Sequence, residues 1–254
     1  MRSDRVVAAL VLLFVAGVLV SASPGARVQP RPRVLVFTKT AAFRHDSIPA
    51  AIRAVRDLGT ARGIRVDATE DGGAFTTANL RRYRAVVFLM TSGDVLTARQ
   101  QRAFEGYIRR GGGFAGVHSA ADTEYAWPWY GRLVGARFRS HPQVQSAVIR
   151  IRTRRHPSTS ALPTTWTRTD EWYNFASRPR RDTRILATLD ETSYAPGEGA
   201  MGANHPIVWA HSFLGGRAWY TAGGHTSESY GEPLFRRHLI GGIRWAARLT
   251  PTLP

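Results

Sequence analysis

The tightest constraint in this chain is a series of short, continuously apolar segments separated by stretches of helical period. Residues 33–38, 85–90 and 114–118 read as strands with no polar alternation, so both of their faces must be covered, and 64–68 reads as a further short strand. Between them, Pro49 opens a stretch with Ile52, Val55 and Leu58 at helical spacing, which Gly63 stops. Leu80 and Tyr83 predict a brief helix. Thr97 then caps a longer one reaching Arg110, with Phe104, Tyr107 and Ile108 turned inward. Strands and helices alternating at this spacing require right-handed crossovers, hence an α/β fold with a parallel sheet covered by helices on both faces. In open sheets of this kind ligands sit outside the carboxyl ends of the strands, so the loops 39–47, 91–94 and 118–122 belong on one rim.

The second half is less periodic. Residues 143–152, 184–189, 206–213 and 217–221 read as extra strands, the last two joined by the hairpin signal Leu214-Gly-Gly216. Residues 232–249 read as a closing helix with Phe235, Leu239, Ile243 and Trp245 facing in, although Gly241-Gly242 weakens it. One continuous domain over 33–249 is expected.

Ahead of it, Arg2 and Arg5 precede an apolar run over 6–20 and the small residues Val20-Ser21-Ala22. This pattern predicts an export signal over 1–22, with an uncleaved anchor as the alternative; 23–32, with three prolines, reads as a linker. The protein is therefore expected to be secreted or extracytoplasmic, meeting a membrane only during export.

The net charge of +17 raises the question of a nucleic-acid partner. Lys39 is the single lysine among 35 basic side chains, and the arginines are scattered in ones and twos without a helix-turn-helix, RNA-recognition or zinc-finger pattern. No specific nucleic-acid partner is expected. The absence of cysteine excludes disulfides, thiolate metal sites and thiol nucleophiles.

Chemistry must then come from histidine and carboxylate. His45 and His118 fall in the predicted rim loops, His141 and His205 precede prolines, and His225 follows Gly223-Gly224. Each could simply bond local backbone; together they fall where a pocket forms. Asp170-Glu171-Trp172-Tyr173-Asn174 sets two carboxylates beside two aromatics. It reads as a metal ligand, a general base, a sugar-stacking platform or a solvated turn.

Six segments carry a resemblance. They are Phe43-Arg-His45-Asp-Ser47-Ile, Gly112-Gly-Phe-Ala-Gly-Val-His118-Ser-Ala, Phe138-Arg-Ser-His141-Pro, Asp170-Glu-Trp-Tyr-Asn-Phe175, His205-Pro-Ile-Val-Trp209 and Gly216-Arg-Ala-Trp-Tyr-Thr-Ala-Gly-Gly-His225-Thr-Ser-Glu. In this order they resemble the ThuA-like (trehalose utilisation) family over 33–247. The resemblance implies the class I glutamine amidotransferase-like fold, a flavodoxin-like parallel sheet, and carbohydrate metabolism, with keto-sugar chemistry among the options. The parent superfamily carries a Gly-x-Cys-x-Gly elbow and a later His-x-Glu. Here Gly116-Val-His118-Ser-Ala120 resembles the elbow, with His118 at the Cys position, and His225 with Glu228 resembles the later pair at one residue's greater spacing. An imidazole does not readily form the thioester, so glutaminase activity is not expected.

The expected substrate is a small carbohydrate, a disaccharide or keto-sugar. His118 and His225 are expected as acid and base, with Asp170 or Glu171 orienting a ring or taking a proton. His45, Asp46, Trp172, Tyr173 and His205 are expected to bind substrate. In a metal variant His118, His205, His225 and a carboxylate hold a divalent ion such as Zn²⁺ with a position open for water. The competing reading is a non-catalytic carbohydrate- or partner-binding module on the same scaffold.

Overall fold

A computed structural model describes residues 30–250, so the expected export signal 1–22 and the first part of the linker 23–32 lie outside the described residues. Among the described residues no helix is long and apolar enough to cross a membrane.

From Arg31 on, the chain packs as one compact unit. Strands β1 (Arg33–Phe37), β2 (Arg65–Thr69), β3 (Ala85–Leu89) and β4 (Gly113–Val117) pair in parallel in the order β2-β1-β3-β4. They alternate with α1 (Ile48–Thr60), the short α2 (Thr77–Leu80) and α3 (Ala98–Arg109). Every residue of β3 and β4 is buried, as continuous apolar runs covered on both faces require.

The hairpin signal forms as expected. β10 (His205–Phe213) and β11 (Gly216–Thr221) are antiparallel across Leu214 and Gly215. β11 also lies parallel beside β4, which makes it the fifth parallel strand. β10 then leads outward into an antiparallel extension. β9 (Arg184–Asp190), β6 (Gln145–Ile151) and β7 (Thr165–Asp170) complete the nine-stranded order β2-β1-β3-β4-β11-β10-β9-β6-β7. A second sheet pairs β5 (Phe138–Ser140) with β8 (Asn174–Phe175), and α4 (Pro128–Val134) precedes it.

β7 was not expected from the sequence, and its burial shows why. Thr165, Thr167 and Thr169 face solvent while Trp166, Arg168 and Asp170 face in. Two of the three inward residues are charged, so the strand's period of two leaves no trace in hydropathy. The closing helix α5 (Pro233–Ala246) contains Gly241-Gly242 because neither position has room for a side chain. A Cβ on Gly241 would come within 2.3 Å of the Pro157 carbonyl oxygen, and one on Gly242 within 2.2 Å of the Trp219 ring.

Candidate active site

Three of the parallel strands end at the same edge, and each is followed by a histidine. His45 lies in the loop after β1, His118 follows β4 directly, and His225 comes shortly after β11. Strand direction alone therefore brings together rings far apart in sequence. His118 Nε2 lies 3.1 Å from His45 Nε2 and 3.2 Å from His225 Nδ1. Glu171 joins from the end of β7, its Oε2 3.3 Å from both His118 Nε2 and His225 Nδ1. Its other oxygen lies 3.1 Å from Nδ1 of His141, which is half-exposed above the site.

β7 is the last strand in the sheet order, yet its carboxyl end lies at the parallel edge because four successive antiparallel pairings leave it running in the same direction as β11. Asp170 holds the two parts together. Its Oδ1 accepts the His225 N–H at 3.0 Å and its Oδ2 the Gly224 N–H at 2.8 Å. Buried Arg168 donates to Asp170 at 2.5 Å and to Glu232 at 2.9 Å, which balances the buried carboxylate.

His118 sits on a strained turn at φ +51°, the left-handed region, followed at once by a 3₁₀ turn over His118–Asp122. For a non-glycine residue this costs about 1–2 kcal/mol. The turn is held because Tyr220 Oη donates to the His118 carbonyl at 2.8 Å and His118 Nδ1 donates to the Ala222 carbonyl at 2.8 Å. A carbonyl only accepts, so Nδ1 of that ring carries a proton, and Nε2 is the atom turned toward the other three groups. Tyr173 packs its ring against His118 at 4.3 Å between centroids.

Burial, then the neighbouring His118 and His225, push His45 down to about 3, so its ring is neutral. Burial alone would raise the Glu171 carboxyl, but hydrogen bonds from His118 and His225 outweigh it and hold it well below the usual carboxylate range. Burial lowers His225, and Glu171 more than reverses this, leaving it raised. The result is an ionised carboxylate touching two imidazoles, an arrangement suited to holding a proton or a cation.

The group opens onto a cleft of about 270 Å³ lined by Phe43, His45, Asp46, Val144, His225 and Glu228, among others. A larger cleft of about 600 Å³ lies near the start of α3, but no acid or histidine lines it, so it offers no proton-transfer pair.

The other predicted site residues fall elsewhere. His205 is not with His118 and His225: its Nδ1 bonds Glu191 and its Nε2 the Tyr173 carbonyl, both at 2.8 Å, so neither nitrogen is free to hold a metal or a substrate. Trp172 is fully buried and donates to the Gln145 carbonyl at 2.9 Å, which removes it as a stacking surface. Tyr173 is buried as well and supports an imidazole rather than offering its face to a ligand. Asp170 contacts the backbone at His225 rather than any ring. Asp46 lines the cleft mouth, and so does Glu228, while the carboxylate on the His225 ring is Glu171. His141 had no expected role, although its motif was one of the six; neighbouring Pro142 gave no hint that the ring would reach Glu171.

The architecture is that of an open α/β sheet protein whose site lies along the carboxyl edge of the parallel strands and contains no thiol. The family model described as ThuA, Trehalose utilisation, matches residues 33–246, and the chain belongs to this family. Solved structures agree on the fold. A putative ThuA-like protein from Bacteroides uniformis superposes with a TM-score of 0.75 at 23% identity, over 89% of this chain and 95% of the other. A second putative ThuA-like protein, from Parabacteroides merdae, gives 0.71 at 22% identity over 88% and 93%. The β-galactosidase from Bacillus circulans gives 0.56 at 12% identity, over 85% of this chain but only 31% of that one. No curated protein matches the sequence.

Proposed function

We propose that this chain is an exported protein that acts on a small carbohydrate, a disaccharide or keto-sugar, by acid–base chemistry at the group formed by His45, His118, Glu171 and His225. The observation that carries the reading is the convergence itself. Ligating atoms of four side chains from four separate loops lie within 4.8 Å of one another, beside a cleft that His45 and His225 line. Glu171 takes the role the sequence left open between Asp170 and Glu171, since it alone of the two touches the rings. The family's link to trehalose utilisation supports a sugar as substrate. Small-molecule pockets usually measure about 300–1,000 Å³, so a cleft of 270 Å³ suits one sugar unit with the remainder outside. A chain without cysteine lacks the thiolate that glutamine hydrolysis on this scaffold uses, so glutaminase chemistry is not part of the reading.

The test is a screen of the purified chain against ordinary and oxidised disaccharides. Turnover that disappears in His118→Asn and His225→Gln supports an enzyme. Sugar binding without turnover in the intact protein supports the binding-module reading instead. Export is tested by N-terminal sequencing of secreted material, where a retained Met1 overturns cleavage. An affinity for nucleic acid that collapses with added salt would mark charge-driven adhesion, not specific recognition.

A further inference from the structure

The geometry points to a site for a divalent first-row transition-metal ion held by His45 Nε2, His118 Nε2, His225 Nδ1 and a Glu171 carboxylate oxygen. The inference rests on reading this group as the reacting centre, but its own argument is one of distances and lone pairs. A tetrahedral ion with bonds of about 2.0–2.1 Å places its donors roughly 3.3–3.4 Å apart. The four close donor–donor distances around His118 and Glu171 are 3.1, 3.2, 3.3 and 3.3 Å. The remaining pairs stay within 4.8 Å. Four of the six donor pairs thus match tetrahedral edges before any ion is considered.

Hydrogen bonds join these atoms only pair by pair. Three acceptor-capable atoms surround His118 Nε2, and Nδ1 of that ring is already committed to the Ala222 carbonyl. A proton on any one nitrogen bridges a single pair, whereas a cation at the centre meets three ring nitrogens and a carboxylate at once. The surroundings match a metal site too. His118 donates its other N–H to a backbone carbonyl, His141 bonds the second Glu171 oxygen, and Asp170 fixes the backbone at His225. Three imidazoles and one carboxylate favour ions from Mn²⁺ to Zn²⁺ over Mg²⁺ or Ca²⁺. His45 and His225 line the cleft, which leaves an approach for a water or a substrate oxygen. A bound ion lowers the pKa of its water to about 7 or polarises a carbonyl. The rings then hold the ion, and coordinated water moves the proton. This ligand set replaces His205 with His45 and makes Glu171 the carboxylate.

The test uses the full chain, stripped with chelator and dialysed, then titrated with ZnCl₂ and separately with CoCl₂. The expected result is uptake of about one equivalent, a rise in Tm with ZnCl₂, and a tetrahedral visible spectrum in the Co²⁺ form. His45→Gln and Glu171→Gln should each weaken retention at least about tenfold, with circular dichroism unchanged. The Co²⁺ spectrum of the unaltered chain keeps the test decisive if a variant does not fold. Uptake far below one equivalent with an unmoved Tm overturns the site. So does uptake undiminished in a His118→Asn/Glu171→Gln chain. Sugar turnover that persists in verified metal-free protein overturns the metal and leaves the carbohydrate reading standing. Metal uptake without sugar turnover supports the site and sinks that reading.

Discussion

The protein buries two groups of histidines, and they differ in what their nitrogens face. At the sheet edge, His45, His118 and His225 point at one another and at Glu171. Away from that edge, His238 on α5 has both ring nitrogens bonded, and neighbouring His156 has its Nδ1 bonded and its Nε2 buried without a partner. His238 donates from Nδ1 to the Ser158 carbonyl at 2.8 Å and meets Thr221 Oγ1 at 3.1 Å, while His156 Nδ1 meets Ser158 Oγ at 2.8 Å. Burial pushes His45 and His156 alike down to about 3, and His238 to about 4. A depressed imidazole is therefore no mark of function here. The mark is a ring nitrogen left facing other ligands instead of a hydroxyl or a carbonyl.

The contrast is strongest at His118. His118→Asn keeps a residue that tolerates the left-handed backbone but removes the nitrogen at the centre. Turnover of the carbohydrate substrate should fall roughly 10²–10⁴-fold, a larger effect than the about 1–2 kcal/mol of stability lost with the Nδ1–Ala222 hydrogen bond. An active Asn variant would erase the distinction between the two groups.

Arg168→Met tests the buttress between the site and the antiparallel extension. It leaves Asp170 buried without its cation and should cost about 3–5 kcal/mol in urea unfolding. Because Asp170 holds the His225 backbone, activity of the remaining folded protein should fall as well. A loss of stability with full specific activity would detach the buttress from the site.

His238→Ala should show the reverse of His118→Asn. Lost packing and two lost hydrogen bonds predict roughly 2–4 kcal/mol of destabilisation, with turnover per folded molecule unchanged.

Acid sharpens the same point. His156 and His238 are neutral in the fold, whereas an unfolded imidazole titrates near 6.5, so below that value the unfolded chain binds more protons. Their contribution is intact above about pH 6.5 and is lost as the pH falls toward 4 and then 3. At pH 5 each ring should cost about 2 kcal/mol. Thermal melts from pH 7 to 5 should show this slope, and His238→Ala should reduce it by about one proton's share. An unchanged slope would place the acid sensitivity elsewhere.

Much of the parallel half was legible from residue pattern, because strands covered on both faces must be apolar throughout and the loops after them must share an edge. His118 and His225 were readable as strand-end residues on that ground, and the elbow that made them partners came from the family resemblance. The antiparallel half was harder to read. β7 hides an inward Arg168–Asp170 pair, so nothing in its hydropathy announced a strand, and the position of Glu171 depends on that strand. His205 looked like its neighbours in sequence, preceding a proline at a strand start as His141 precedes one in a loop. Its ring is nonetheless bonded to Glu191 and the Tyr173 carbonyl.

By itself the sequence determined the layered α/β core, the edge on which ligands gather, and the lack of a thiol, since these follow from local period, crossover handedness and composition. The tertiary structure alone decided which carboxylate meets the rings, that His45 stands among them and His205 does not, and that Trp172 lies inside. Those outcomes depend on the order and direction of the strands across the sheet and on the direction in which each side chain leaves its strand. Both are set by packing between segments more than a hundred residues apart, such as β4 and β11, and not by the neighbours of any one residue.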